Sequence, residues 1–214
     1  MLPDYNTGQS TGAKKIIPYL SYKVTRDEFV GNNENNEKVP FKINQGDNIL
    51  FDLNNIVSGY HWFAGGGNPP EKVFDTWNIT GDKADVSPAK QPPAKMNADG
   101  QQQNFRRFAE IPIYSSMLKS RIFSFDGAST YKTAQSIVAQ WLKNRSNQNG
   151  TVYMYQFSGI RRETNPKDKT RQLLIPEFEF KQELSRPADF DVITPMGNKT
   201  NGSSSDNMDD DMPF

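Results

Sequence analysis

One stretch of this chain changes hydrophobic period, and it fixes the layout around it. In residues 130–144 the apolar side chains Ala134, Ile137, Val138, Trp141 and Leu142 fall at i, i+3, i+4, i+7 and i+8. That spacing is one face of an amphipathic helix. Ser129 or Thr130 suits its N-cap, and Lys143 and Arg145 suit the dipole at its C-terminus. Elsewhere apolar residues alternate with polar ones or form short runs, as strands do. Leu20, Tyr22 and Val24 alternate with Ser21, Lys23 and Thr25 within 16–30, and 31–37 reads as a turn. Residues 39–43 and 48–53 are extended, with 44–47 a hairpin turn or a bulge in one bent strand. Residues 105–114, 121–125, 151–162 and 170–181 complete the strands, and 163–169 is a charged turn between the last two. Strands, one helix, then two strands predict a mainly β fold. The order matches an elaborated five-stranded barrel of the oligonucleotide-binding type.

Residues 58–104 interrupt this pattern. They hold Trp62, Phe63 and Trp77 among Gly65, Gly66, Gly67, Pro69, Pro70, Pro88, Pro92 and Pro93. Residues 82–104 carry almost no large apolar group. A long polar loop inside a compact domain is usually functional or disordered, and this one reads as a mobile insertion able to close over a ligand. The expected organisation is a flexible lead-in over 1–15, a folded domain over 16–186, a flexible linker over 187–205 and an acidic tail over 206–214.

Composition narrows the function classes. The chain has 214 residues and no Cys, so no disulfide framework or zinc knuckle is available. Mean hydropathy is −0.77, and no apolar run approaches the roughly 18 residues of a membrane span. No signal peptide is evident at the N-terminus, so a cytoplasmic, nucleoid-associated location is expected. His61 is the only histidine, which leaves few ways to build a nucleophilic triad. The glycine-rich 65–70 segment lacks the Lys-Ser/Thr ending of a phosphate-binding loop. Neither enzyme chemistry, a metal site nor a cofactor is expected.

Single-stranded nucleic acid exposes its bases, so a sequence-tolerant binder needs ring faces and cations. Tyr60, Trp62 and Phe63 place rings beside the glycines. Phe105, Arg106, Arg107 and Phe108 interleave rings and cations. Trp77 reads equally as core or platform. Tyr153, Tyr155 and Phe157 alternate, so they share one strand face with Arg161; that face is either a stacking platform or the core. Lys119, Arg121, Lys167, Lys169 and Arg171 are candidate phosphate contacts.

The sequence closes on Asp209, Asp210, Asp211, Met212, Pro213 and Phe214, after a polar stretch over 197–205. Carboxylate runs do not pack into cores, and the stretch before them has tether composition. Residues 1–205 hold all 25 basic residues against 21 acidic ones, a net +4. The acidic run ending in an apolar residue, Pro and Phe resembles the tail of the bacterial single-stranded DNA-binding protein family. The family's other motifs do not stand out in residues 1–190, so the resemblance is to a divergent member, of a kind that phages encode. It implies sequence-independent binding and protection of single-stranded DNA in replication and recombination. It also implies that Asp209, Asp210, Asp211, Met212, Pro213 and Phe214 recruit replication and repair proteins. The alternatives are an adaptor that engages host repair proteins through the tail, and a strand-annealing recombination mediator. A homo-oligomer is compatible with the sequence.

Overall fold

In a computed structural model, the structure describes residues 6–7, 18–24, 26–33, 35–64, 71–75, 77–80, 83–86, 92–146, 150–165, 168–190 and 193–194. It is mainly β, with one helix and a sheet curled into a half-barrel. The strands are β1 (Asn6–Thr7), β2 (Tyr19–Lys23), β3 (Glu28–Asn32), β4 (Lys38–Phe41), β5 (Asn48–Phe51), β6 (Val57–Trp62), β7 (Glu71–Asp75) and β8 (Trp77–Thr80). They continue with β9 (Lys83–Val86), β10 (Lys95–Met96), β11 (Gln102–Gln103), β12 (Arg106–Tyr114), β13 (Arg121–Asp126), β14 (Thr151–Asn165), β15 (Asp168–Ser185) and β16 (Ile193–Thr194). The helix α1 spans Ala128–Asn144.

Ten strands form the main sheet, in the order β15-β14-β5-β12-β13-β2-β3-β4, with β6 and β7 joined to it through β12. The expected five-strand count is therefore exceeded. The N-terminal strands β2, β3 and β4 extend the sheet, and β2 pairs with β13 in parallel. The 44–47 segment is neither a hairpin turn nor a bulge. β4 pairs with β3, whereas β5 pairs with β12 and β14. Gly46 N–H donates to the Phe157 carbonyl at 2.9 Å, and Phe157 N–H to that of Asp47 at 2.9 Å. The sheet thus curls until the chain leaving its β4 edge reaches β14. Ring contact between Phe29 and Phe157, centroids 5.5 Å apart, closes the same side from within.

Alternation sends odd residues of β12 inward and even ones outward. Ala109, Ile111 and Ile113 join Phe123 and Phe125 of β13 in the central cluster, with Phe51 and Phe178. Phe51, Phe123 and Phe178 meet edge-on or tilted at 5.4–6.5 Å, arrangements that suit ring quadrupoles. The helix covers this core with Ala134 and Ile137, and Tyr155 donates its hydroxyl to the Ile137 carbonyl at 2.8 Å. It starts two to three residues earlier than its composition suggests. Gly127, at φ 100°, takes the N-cap position without a side-chain hydrogen bond. Thr130 lies inside the first turn and donates its hydroxyl to the Asp126 carbonyl at 2.9 Å.

Two expected boundaries shift. The 58–104 insertion is not structureless: β6 and β7 belong to the main sheet, and β10 pairs with β11 around a turn at 97–101. The packed body also runs past residue 186. Phe190 is buried and stacks on Tyr114, with centroids 5.5 Å apart, and Arg186 lies over its ring at 4.8 Å. Asn6 and Thr7 of the lead-in pair with Thr194 and Ile193. The acidic tail over 206–214, the 195–205 part of the linker and Lys167 lie outside the described residues, as do the side chains of Trp77 and Arg171.

Candidate nucleic-acid interface

Strands β7, β6 and β12 form an antiparallel ribbon whose register places specific residues side by side. Lys72, His61 and Arg106 form one cross-strand row, and Phe74, Gly59 and Phe108 form the next. Both rows lie on the outer face, opposite the core. Gly59 is required there, since a Cβ would sit 2.1 Å from the Val73 carbonyl oxygen and 2.9 Å from the Phe74 Cα. Its missing side chain leaves room for Phe74 to reach Phe108, with centroids 6.0 Å apart at 78°.

Phe63 and Phe74 are 38% and 40% exposed, so both rings meet solvent. Each is backed by a buried ring. Phe63 meets His61 edge-on at 4.6 Å, and His61 stacks on Phe108 at 5.7 Å and 20°. Lys72 Nζ lies 5.1 Å over the Phe108 ring and pairs with Glu110 at 2.6 Å. The Tyr19 hydroxyl donates to the same Glu110 oxygen at 2.7 Å. Arg106 is exposed and makes no ion pair among the described residues. Rings with cations beside them are what stacking plus phosphate contact requires.

His61 is buried, and burial lowers its pKa to about 4. The nearby charges of Lys72 and Arg106 push the same way, whereas Asp126 and Glu110 oppose them. The ring is therefore neutral near pH 7. Its Nε2 lacks a hydrogen-bond partner among the described residues.

The inner face of the same ribbon carries a second aromatic group. Trp62 stacks on Phe105 at 6.4 Å and 30°, and Lys95 Nζ lies 5.6 and 5.5 Å over the two rings. Lys95 also pairs with Glu71 at 2.6 Å. Exposed Arg107 reaches over Tyr131 of α1 at 5.9 Å. Tyr60 and Phe105 are buried, so they serve the core rather than a ligand.

Of the expected set, the structure thus places Phe63 and Arg106 on the outer face with Phe108 packed behind them, and Trp62 and Arg107 on the inner face beside buried Tyr60 and Phe105. It adds Lys72, Phe74 and Lys95, which sequence reading missed. Alternation in 71–75 puts Lys72 and Phe74 on one face, and that was the available signal. Other expected residues lie elsewhere. Tyr153, Tyr155 and Phe157 are at most 5% exposed within the central cluster. A base has no access to them, so their shared face is the core. Arg121 is also buried. It donates to the carbonyls of Leu118 at 2.6 Å and Asn32 at 2.5 Å, with its guanidinium 4.2 Å over Phe41, so it is a structural cation rather than a phosphate contact. Lys119 is exposed in a turn at φ 56°. Arg161 pairs with Glu163 and Glu177. Lys169 is exposed on β15.

No group of acids and His able to hold a metal occurs among the described residues. No helix among the described residues is long and apolar enough to cross a membrane. Comparison with protein-family models, curated proteins and solved structures finds no match to this chain.

Proposed function

We propose that this chain binds single-stranded DNA without reading its sequence, stacking bases on outer-face rings and laying phosphates along neighbouring cations. The observation that carries this reading is the pair of solvent-facing rings Phe63 and Phe74, each backed by a buried ring and flanked by Lys72 and Arg106. A ring face accepts any base, and each stacked base contributes about 1–3 kcal/mol.

Strand order supports an oligonucleotide-binding barrel at the heart of the sheet. The β5–β6 segment, β12, β13, α1, β14 and β15 follow one another as three strands, a helix and two strands, and β14 pairs back onto β5. On this reading the segment between β6 and β12 is the first inter-strand loop. Barrels of this type use that loop, with the face of their second and third strands, to hold a nucleic-acid strand. The edge of β13 that a fifth strand takes in such a barrel is occupied here by β2.

The tail completes the scheme. Its carboxylates repel DNA, and by the resemblance stated above it is the part that replication and repair proteins grasp. Burying Phe214 in a partner contributes roughly 1.5–3 kcal/mol. One tail is a weak hook, and several on a coated strand act together through effective concentration.

Titration with labelled oligo-dT, followed by the fluorescence anisotropy of the oligonucleotide, tests this reading. Binding that weakens with salt and is reduced in the Phe63→Ala/Phe74→Ala variant supports it. Removing 206–214 leaves DNA affinity equal or higher and abolishes partner capture. Absence of oligo-dT binding in dilute buffer overturns the reading and favours the adaptor.

A further inference from the structure

A groove of about 430 Å³ lies well away from the aromatic cluster, on the N-terminal strands β2, β3 and β4. Lys23, Arg26 and Lys38 line it, with Glu28 as its one carboxylate and Val30 and Pro40 among its apolar wall. Arg26 is 76% exposed and meets Glu28 only at 3.5 Å. Lys23 and Lys38 are exposed and make no ion pair among the described residues. Three cations against one carboxylate, in a concave apolar setting, suit an anion that brings several charges.

Sheet register places this groove on the same face as Phe74 and Phe108. Glu110 pairs with Ser124, Ser124 with Ser21, Ser21 with Val30, and Val30 with Pro40. These five residues form one row across the outer face, and Glu110 shares that face with Phe108 two residues away. From β6 to β3 is four strand spacings, about 19 Å at 4.8 Å each. Midway, Ser124 and Ser21 present hydroxyls, and Glu110 is neutralised by Lys72. Asp126, paired with Phe108, is the carboxylate that a polyanion has to skirt.

We infer that the Lys23–Arg26–Lys38 groove is a second anchor for the phosphodiester backbone of the same single strand, reached across the outer face from Phe63 and Phe74. This rests on the nucleic-acid reading above. Continuity with the ring cluster on one face, together with the charge of the groove, favours the strand over the other anion at hand, the chain's own acidic residues 206–214. The anchor lies on strands that a five-stranded barrel lacks, so it lengthens the footprint beyond that core.

The test is a titration of the full chain with oligo-dT of increasing length, in wild type and in Lys23→Gln/Arg26→Gln/Lys38→Gln. The three side chains are exposed, so melting temperature serves as the check that the fold is kept. Oligonucleotides long enough to span both sites bind the triple variant more weakly. Their salt slope becomes shallower by about two, three contacts at roughly −0.7 each. Short oligonucleotides, filling the ring cluster alone, bind wild type and triple variant equally, whereas Phe63→Ala/Phe74→Ala loses them. An unchanged slope on long oligonucleotides overturns the second anchor, and so does an equal loss at every length. A peptide of residues 206–214 that binds wild type but not the triple variant, with oligo-dT unaffected, assigns the groove to the tail and overturns it too. Failure of wild type to bind any oligo-dT removes the nucleic-acid reading itself, which separates the two failures.

Discussion

Phe74 reaches Phe108 across Gly59, edge-on with ring centroids 6.0 Å apart, and so turns an edge strand into part of a ring cluster. The contact exists because three residues on three strands share one row, and the middle one has no side chain.

Gly59→Ala tests that relationship. The new Cβ has to displace the Val73 backbone from 2.1 Å, so β7 shifts or detaches. Overpacking of this kind costs about 1–3 kcal/mol. The expected outcome is a lower melting temperature together with the DNA-binding loss of Phe74→Ala. Wild-type stability with wild-type binding contradicts the packing described.

The rings divide into two groups with opposite signatures. Phe74→Ala is expected to reduce oligo-dT affinity by about 1–3 kcal/mol and to change melting little, because Phe74 is already 40% exposed. Phe157→Ala, in the central cluster, is expected to lower stability by about 3–5 kcal/mol. Any folded fraction of it should bind oligo-dT normally. Chemical denaturation and titration of both variants separate the two roles.

His61 sets an acid limit. Its pKa is lowered to about 4 in the fold, from 6.5 in an unfolded chain. Between those values the unfolded chain binds the extra proton, so stability rises with pH across the window. It is fully present above pH 6.5 and falls as pH drops toward 4, by about 3 kcal/mol in total. His61→Gln, which does not titrate, should flatten the melting temperature between pH 6.5 and 4.5 relative to wild type. Parallel slopes for the two proteins would show that other groups govern this range.

Arg186 fastens the C-terminal end of the body. It pairs with Asp52, which is fully buried, and Asn55 donates to the same carboxylate at 2.7 Å. Removing one partner strands a buried charge, at about 3–5 kcal/mol. Arg186→Ala should therefore lower stability by roughly 3 kcal/mol and release Phe190, seen as faster proteolysis after residue 186. Asp52→Asn/Arg186→Gln, which leaves no unpaired charge, should recover part of that loss.

Much of the fold is legible in residue pattern. The helical period over 130–144 and the alternation over 105–114 and 151–162 correspond to α1, β12 and β14. The ten-strand sheet was not legible. Whether β2 pairs with β13 or stands apart depends on contacts across about a hundred residues, and local alternation carries no information about them. Parity showed that Tyr153, Tyr155 and Phe157 share a face, but not which side the helix covers. Only the closure of the sheet made that face the core.

The candidate site divides in the same way. Phe63, Arg106 and Arg107 stood out because rings and cations adjoin in the chain. Lys72, Phe74 and Lys95 were overlooked because β7 and the β10–β11 hairpin bring them to the cluster from a stretch whose composition reads as loop. Arg121 looked like a phosphate contact, yet it is buried against two carbonyls and a ring.

The sequence by itself determined the helix, the strands outside 58–104, the absence of cysteine chemistry and the charge split between body and tail, since each depends only on residue identity and spacing. Tertiary structure alone decided which rings meet solvent and which cations lie beside them, because exposure and adjacency arise only when strands distant in the chain pair and the sheet curls over its core.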